Sequence, residues 1–300
     1  MVTTPRSIIE SVIRPFGGAV TRLVPLAGGG MNETYRAEMA NGAQIVVRIA
    51  RQPTPWFLDE SHLMTRTRDV GVSTPEVLGI EHLDHEGELL SFSIQRFLPG
   101  RSLHDLVGEL PVADLERLVQ DAGEILARIH DVPTDERGIR HQLRMPAEAT
   151  LAGITRLVAD TVGQEAAPVV ERGAELLCQQ IMTGSTPRFA LAQGDFMPKN
   201  ILVADMMISG VIDWEFAGPA PPAFDLARWE VSAGDPLHDR LDLLHRGYAR
   251  ITDPEVAAAG LTPSYAVDWI FEMLAWKNPA SPAQIRRCVD VLARYARVVS

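Results

Sequence analysis

The segment Gln193-Gly194-Asp195-Phe196-Met197-Pro198-Lys199-Asn200 leads into the apolar run Ile201 to Val203, and a second run, Ile208 to Ile212, leads into Asp213-Trp214-Glu215. Read as a hairpin turning near Met206-Met207, the two runs set Asn200 opposite Asp213 at the open end. A loop tightened by Pro198 brings Asp195 back to the same mouth, so two carboxylates and one carboxamide converge. Hard oxygen donors in that arrangement suit Mg²⁺. Without a cation the site is poorly balanced, because two like charges roughly 4 Å apart repel by about 4 kcal/mol at an effective dielectric of about 20. A divalent ion arriving with a nucleotide relieves the repulsion. Taken singly, each aspartate would cap a turn or end a strand, and the Met206-Met207 turn lacks Asn-Gly chemistry, which leaves the register open.

Positioning such groups takes two kinds of element. Residues 6 to 15 have helical spacing and precede a strand, Thr21 to Leu26, that ends in Gly28-Gly29-Gly30. Thr34 to Glu38 and Gln44 to Ile49 read as strands joined by an Asn41-Gly42 turn. A helix over 56 to 70 stops at Gly71, and Val77 to Glu81 and Leu89 to Phe97 supply two more strands. Past Pro99-Gly100 the pattern turns to amphipathic helices: Val112 to His130, Ala167 to Thr183, Ala223 to Ser232, Leu237 to Arg250, Thr262 to Trp276 and Pro282 to Val298. Phe189 to Leu191 is the one further short strand, and Arg137 to Gln164 has no clear pattern. The expected fold is α+β and bilobal. A small antiparallel-sheet lobe with one helix, residues 1–98, precedes a larger, mainly helical lobe, residues 99–300.

The chain has 300 residues, 46% of them hydrophobic, enough for a substantial core. Lys plus Arg number 28 against 39 Asp plus Glu, a net charge of −11 that argues against a nucleic-acid partner. Only Lys199 and Lys277 are lysines, so every cation of the first lobe is an arginine or a histidine. Cys178 and Cys288 stand alone, which predicts buried thiols in a reducing compartment and neither a zinc site nor a disulfide framework. Glu10 and Arg14 interrupt the opening segment, so no signal peptide or membrane span is expected. The predicted location is the cytoplasm, with no membrane partner and no obligate protein partner.

Gly-Asp-x-x-x-x-Asn followed by Ile-Asp-Trp-Glu at this separation resembles the aminoglycoside phosphotransferase family, whose fold is protein-kinase-like, and the resemblance runs from Leu26 to about Trp229. It implies that Asp195 is the catalytic base for a substrate hydroxyl. Asn200 and Asp213 would hold Mg²⁺, which bridges the phosphates of ATP, the phosphoryl donor. Gly28, Gly29, Gly30 and Asn32 look like the family's nucleotide loop, without the ending of a Walker P-loop. Arg48 occupies the family's strand-lysine position, with Glu60 as its matching carboxylate; a surface ion pair is the plainer reading of the two. Backbone groups near Arg96 and Leu98 would meet the adenine edge. Gln193 replaces the family's histidine and is expected to brace the loop. Asp225 matches a helix-start aspartate that supports the loop backbone, with an N-cap as the alternative. His130 reads as a satisfied core histidine.

The resemblance implies an ATP-dependent O-phosphotransferase acting on a hydroxyl of a small molecule. A cationic antibiotic, an aminoglycoside or a basic peptide, is the favoured acceptor, which would make the enzyme a resistance determinant. Glu230, Asp235, Asp239, Asp268 and Glu272 are candidates for an anionic wall that attracts it, although any one of them taken singly is more often a solvated helix residue. Macrolides, choline-like and homoserine-like metabolites remain open, as does a nucleotide-binding pseudokinase acting as an interaction module. A protein kinase is disfavoured: Ile-Asp-Trp-Glu stands where Asp-Phe-Gly would be, and no Ala-Pro-Glu follows.

Overall fold

The computed structural model describes residues 3–26, 32–51, 56–134, 141–183, 188–232, 237, 240–275 and 281–296. Within these the chain forms two compact units: residues 1–101 together with 202–215, and residues 102–201 together with 216–300.

In the first unit, α1 (Arg6–Ile13) precedes β1 (Val20–Pro25), β2 (Glu33–Met39) and β3 (Gln44–Ala50), then α2 (Phe57–Asp69), β4 (Val77–His85) and β5 (Glu88–Arg96). The five strands make an antiparallel sheet in the order β1-β2-β3-β5-β4. Strand alternation sends Ala37, Met39, Ile45, Val47, Ile49, Leu90, Phe92 and Ile94 to one face, where they pack with Ile9 and Ile13 of α1. The intervening residues Arg48, Ser91, Ser93 and Gln95 are polar and also buried, so the sheet is covered on its second face as well. Arg48 pairs in register with Thr34 on one side and Ser93 on the other. The Asn41-Gly42 turn forms as its residues predict, with the Asn41 side chain accepting the Ala43 N–H at 3.0 Å. A second hairpin turn, Glu86-Gly87, has both residues at positive φ and extends β4 and β5 beyond their expected ends.

After β6 (Arg101–Ser102), where the chain passes into the second unit, come α3 (Leu103–Leu106), α4 (Val112–His130), α5 (Glu148–Thr161), α6 (Ala167–Thr183) and β7 (Ala190–Ala192). The chain then returns to the first unit as the hairpin β8 (Ile201–Ala204) and β9 (Met207–Val211). The second unit resumes with β10 (Gly218–Ala220), paired antiparallel with β7, then α7 (Ala223–Ser232), α8 (Leu241–Tyr248), α9 (Pro254–Ala258), α10 (Thr262–Ala275) and α11 (Pro282–Ala296).

Several expectations need correction. The β8–β9 turn is Asp205-Met206, both residues in the left-handed region that a two-residue hairpin loop demands, so the register expected from a Met206-Met207 turn is displaced by two residues. The unpatterned stretch contains α5, whose short buried face, Ile154 and Val158, gives little periodic signal. Cys178 is exposed, because the face of α6 that packs inward carries Val170, Gly173, Ala174 and Leu177; Cys288 is buried. Among the described residues no helix is long and apolar enough to cross a membrane.

Helices α4 and α8 meet backbone to backbone. A β-carbon at Gly123 would lie 2.0 Å from the Leu244 carbonyl oxygen, and one at Gly247 would lie 1.8 Å from that of Gln120. Gly123→Ala is therefore expected to destabilise the protein by about 1–3 kcal/mol or more. Gly153→Ala, in α5 with open space around it, is expected to stabilise by about 0.5–1 kcal/mol. Thermal denaturation of the two variants checks both signs.

Candidate active site

The segment between β7 and β8 begins with Gln193 and Gly194. Gly194 has φ +90°, and a β-carbon there would stand 2.2 Å from the Phe216 carbonyl oxygen, so only glycine fits. This turn aims two backbone N–H groups inward. The carboxylate of Asp225, on α7, receives both: Oδ2 accepts from Gln193 N at 2.7 Å and Oδ1 from Gly194 N at 2.9 Å. His130, at the end of α4, joins Nε2 to Asp225 Oδ2 at 3.1 Å and Nδ1 to the Tyr248 hydroxyl of α8 at 2.8 Å. Asp225 is fully buried, and these contacts surround it with donors, as a buried charge requires.

That support delivers Asp195. Its backbone N–H donates to Gln193 Oε1 at 2.9 Å, so the glutamine closes the loop through its amide. A turn over Pro198–Asn200 follows, with Asn200 N donating to Met197 O at 2.9 Å. Asn200 Nδ2 then donates to the Asp195 carbonyl at 2.9 Å and to Asp195 Oδ2 at 3.0 Å. Since the amide nitrogen is committed to Asp195, the amide oxygen is the end directed elsewhere. Lys199 Nζ lies 3.2 Å from the same Oδ2, and Arg228 Nη1 lies 4.0 Å from Oδ1. Asp195 and Asn200 are 7% and 4% exposed, so this acid is fixed and still within reach of solvent.

The first unit carries a second constellation, around Arg48. Its Nη1 donates to Glu60 Oε2 at 2.5 Å, and its Nη2 donates to Glu215 Oε2 at 2.9 Å and lies 3.6 Å from Asp213 Oδ1. Burial alone would lower the guanidinium's pKa; Glu60, Asp213 and Glu215 outweigh it and hold the group above its ordinary value. Both Arg48 and Glu60 are buried, so this is not a surface ion pair. Asn32 Nδ2 donates to Glu215 Oε2 at 2.9 Å. Asp213 sits at φ +62°, a left-handed conformation uncommon for a side-chain-bearing residue and concentrated at functional sites.

Thus Asn32, Arg48, Glu60 and Asp213 gather in the first unit, and Asp195 with Asn200 in the second. Gly28, Gly29 and Gly30 lie outside the described residues, as do Asp235 and Asp239. The N–H of Arg96 is taken by the Glu76 carbonyl at 2.8 Å and that of Phe97 by Gln44 at 3.1 Å, so the sheet already uses both donors; Leu98 follows, half-buried. Glu230 does not belong to a substrate wall: it is 3% exposed and is held by Arg294 at 3.1 Å and by the Tyr295 hydroxyl. Glu215 and Arg228, like Lys199 and Tyr248, had no role from sequence. Glu215 and Arg228 each stand a short step from a motif aspartate, two residues after Asp213 and three after Asp225, and that spacing was the available signal. Among the described residues no group of three or more His, Cys, Asp or Glu is placed to hold a metal.

Asp225→Ala would leave two inward N–H groups and His130 without their shared acceptor. A loss of about 2–5 kcal/mol is expected, read from chemical denaturation.

The profile of the phosphotransferase enzyme family (APH) matches residues 22–259. No curated protein sequence matches the chain. Solved structures do. A thermostable mutant of aminoglycoside phosphotransferase APH(4)-Ia, in ternary complex with ADP and hygromycin B, is 18% identical over 96% of this chain and 98% of its own, with a TM-score of 0.66. Amicoumacin kinase hAmiN, in complex with AMP-PNP, Ca²⁺ and Ami, is 12% identical over 99% and 94%, with a TM-score of 0.68. The macrolide 2'-phosphotransferase MphH from Brachybacterium faecium is 21% identical over 95% and 98%, with a TM-score of 0.54. At such identities the likeness carries the fold, here the protein-kinase-like fold with its antiparallel-sheet N-terminal region and larger helical part. Together with the family match over most of the chain, this identifies the protein as a phosphotransferase belonging to the phosphotransferase enzyme family.

Proposed function

We propose that the protein is an ATP-dependent O-phosphotransferase that phosphorylates a hydroxyl of a cationic small-molecule antibiotic, an aminoglycoside or basic peptide, and so confers resistance. The observation that carries this reading is the Asp195–Asn200 pair. A buried carboxylate is held by an amide nitrogen whose own oxygen is directed elsewhere, which suits a base for the acceptor and a ligand for a metal.

In this reading Asp195 accepts a hydrogen bond from the acceptor hydroxyl and orients its oxygen toward the γ-phosphorus. As that oxygen bonds to phosphorus, the bond to the bridging oxygen of ADP breaks and Asp195 takes the hydroxyl proton. Because the transition state is loose, the proton moves late and orientation matters more than basicity. Arg48 meets the α and β phosphates, with Glu60 and Glu215 holding its fork in place. Gly28, Gly29, Gly30 and Asn32 cover the nucleotide, and the backbone near Arg96 and Leu98 borders the adenine. Asn200 and Asp213 would hold Mg²⁺, which, when bound, neutralises charge on the phosphates; a carboxylate and an amide oxygen are the hard donors it prefers, the rest of its shell coming from water and phosphate. Residues 1–98 are the nucleotide-binding lobe and residues 99–300 the catalytic and substrate-binding lobe. The ATP requirement and two free thiols, Cys178 and Cys288, fit the cytoplasm.

Asp268 and Glu272, one turn apart on α10, are the acids left for a cationic acceptor. Burial, with the charge of Glu272 adding to it, pushes the Asp268 carboxyl up to about 7. The charges of both also act on the Arg228 cation, which favours an acceptor with a single amine as the second reading, such as an amino-sugar macrolide.

The test is ADP release from Mg-ATP over a panel of aminoglycosides, basic peptides, macrolides and metabolic alcohols. Turnover on an antibiotic is expected, with Asp195→Ala lowering it about 10²–10⁴-fold. Nucleotide binding without turnover on any acceptor would instead identify a pseudokinase module. Arg48→Ala is expected to raise the KM for ATP with a smaller change in kcat, and Asn200→Ala to weaken binding of Mg-ATP measured by titration calorimetry. Unchanged ATP kinetics in both variants would remove the assigned roles.

A further inference from the structure

Every residue of α7 from Ala223 to Val231 is buried, and one of them is an arginine with two nitrogens left without an acceptor. Arg228 is 5% exposed, and its Nε and Nη1 have no hydrogen-bond acceptor. Charged donors left that way are costly, and a native structure that keeps them has a use for them. The guanidinium is held rigidly: it lies over the Trp269 ring, 3.1 Å from the centroid, with Phe224 at 5.2 Å, and Trp269 is itself anchored by donating Nε1 to Ser232 Oγ at 3.2 Å. Burial pulls its pKa below the ordinary value, and the charges of four carboxylates act against that: Asp195 from the loop, Glu272 and Asp268 from α10, and Asp225 from α7. Of these, Asp195 Oδ1 stands 4.0 Å from Nη1.

The two oxygens of Asp195 are thus held differently. Oδ2 takes Asn200 Nδ2 and the Lys199 ammonium, but Lys199 is about half exposed on a flexible stem. A carboxylate fixed at one oxygen still turns about its Cβ–Cγ bond. A rigid cation beyond the other oxygen opposes that rotation. Nε and Nη1 are shut off from solvent, so these two donors are not available to a ligand and act on the reaction only through the neighbours of Arg228.

We propose that Arg228 is a positioning residue for Asp195, a stacked, immobile cation behind Oδ1 that keeps this oxygen presented to the acceptor hydroxyl. The inference rests on the reading of Asp195 as the base. It is tested by Arg228→Met, which preserves the packing on Trp269 and removes the charge, and by Arg228→Lys. Each is made alone and in the Asp195→Ala background. ADP release from Mg-ATP is measured with the fastest acceptor of the panel, or with water where no alcohol turns over. For Arg228→Met, kcat is expected to fall about 10–100-fold, the scale of a misplaced catalytic group, with the KM for ATP unchanged. Arg228→Lys should restore part of the loss, and Arg228→Met should cause no further loss once Asp195 is gone. An unchanged kcat in Arg228→Met, or the same loss in both backgrounds, overturns the proposal. Should Arg228→Met fail to fold, the same cycle is read with Arg228→Lys, which must lose less in the Asp195→Ala background than in the parent. If Asp195→Ala itself keeps full turnover, the reading of Asp195 as the base has failed; if it loses turnover while Arg228→Met does not, only the positioning role has.

Discussion

Two backbone N–H groups, those of Gln193 and Gly194, point into the interior of the second unit, and the loop that carries Asp195 exists in this form because one carboxylate receives both. An inward N–H without an acceptor costs as much as a lost hydrogen bond, and a buried carboxylate without donors costs more. Here each solves the other's problem. The chain of dependence continues outward: Asp225 leans on His130, His130 on Tyr248, and those two residues sit on α4 and α8, whose backbones approach closely through Gly123 and Gly247. A β-carbon at either glycine, remote from Asp195 in sequence, would disturb the frame that aims it.

Each unit buries an arginine among acidic charges, with opposite balance. The burial of Arg48 is outweighed by Glu60, Asp213 and Glu215, whereas for Arg228 burial outweighs the charges of Asp195, Glu272, Asp225 and Asp268. Part of the acidic excess of this chain is therefore spent on buried arginines rather than displayed at the surface. Such networks add little net stability, since desolvation offsets much of the attraction. They do fix geometry. A planar fork held by several carboxylates, or stacked on an indole, has few alternatives open to it. The two arginines differ in what they leave over: Arg48 has its Nη1 and Nη2 engaged by carboxylates, while Arg228 keeps Nε and Nη1 without acceptors.

Much of the framework could be read from residue order, since it depends on local rules. Period-two alternation located the sheet strands, Asn41-Gly42 located a hairpin, and apolar spacing located α4, α6, α7, α10 and α11. The readings that needed revision fall where local rules are weak. The β8–β9 turn uses Asp205-Met206 in left-handed conformations that Met206 does not favour, and α5 buries too few residues to show a period. Glu230 looked like a surface acid because a helix position says nothing of which neighbour will cover it. Arg294 and Tyr295 do so from α11.

By itself, the sequence determined which chemistry was possible. Asp195, Asn200 and Asp213, at their spacing, gave a set of oxygen donors suited to a divalent cation and carried the resemblance to a phosphotransferase family, and Gln193 was read from its amide as a brace, the contact it makes with Asp195 N. Tertiary structure alone decided how the supporting charges are shared. That Glu215 would join Glu60 on Arg48, that Tyr248 would back His130 behind Asp225, and that Arg228 would stack on Trp269 beside Asp195 are outcomes of packing. The reason is physical. Spacing along a strand or helix fixes the direction of a side chain relative to its own element, whereas the partner of a buried charge is whichever opposite charge the folded chain brings within a few ångströms.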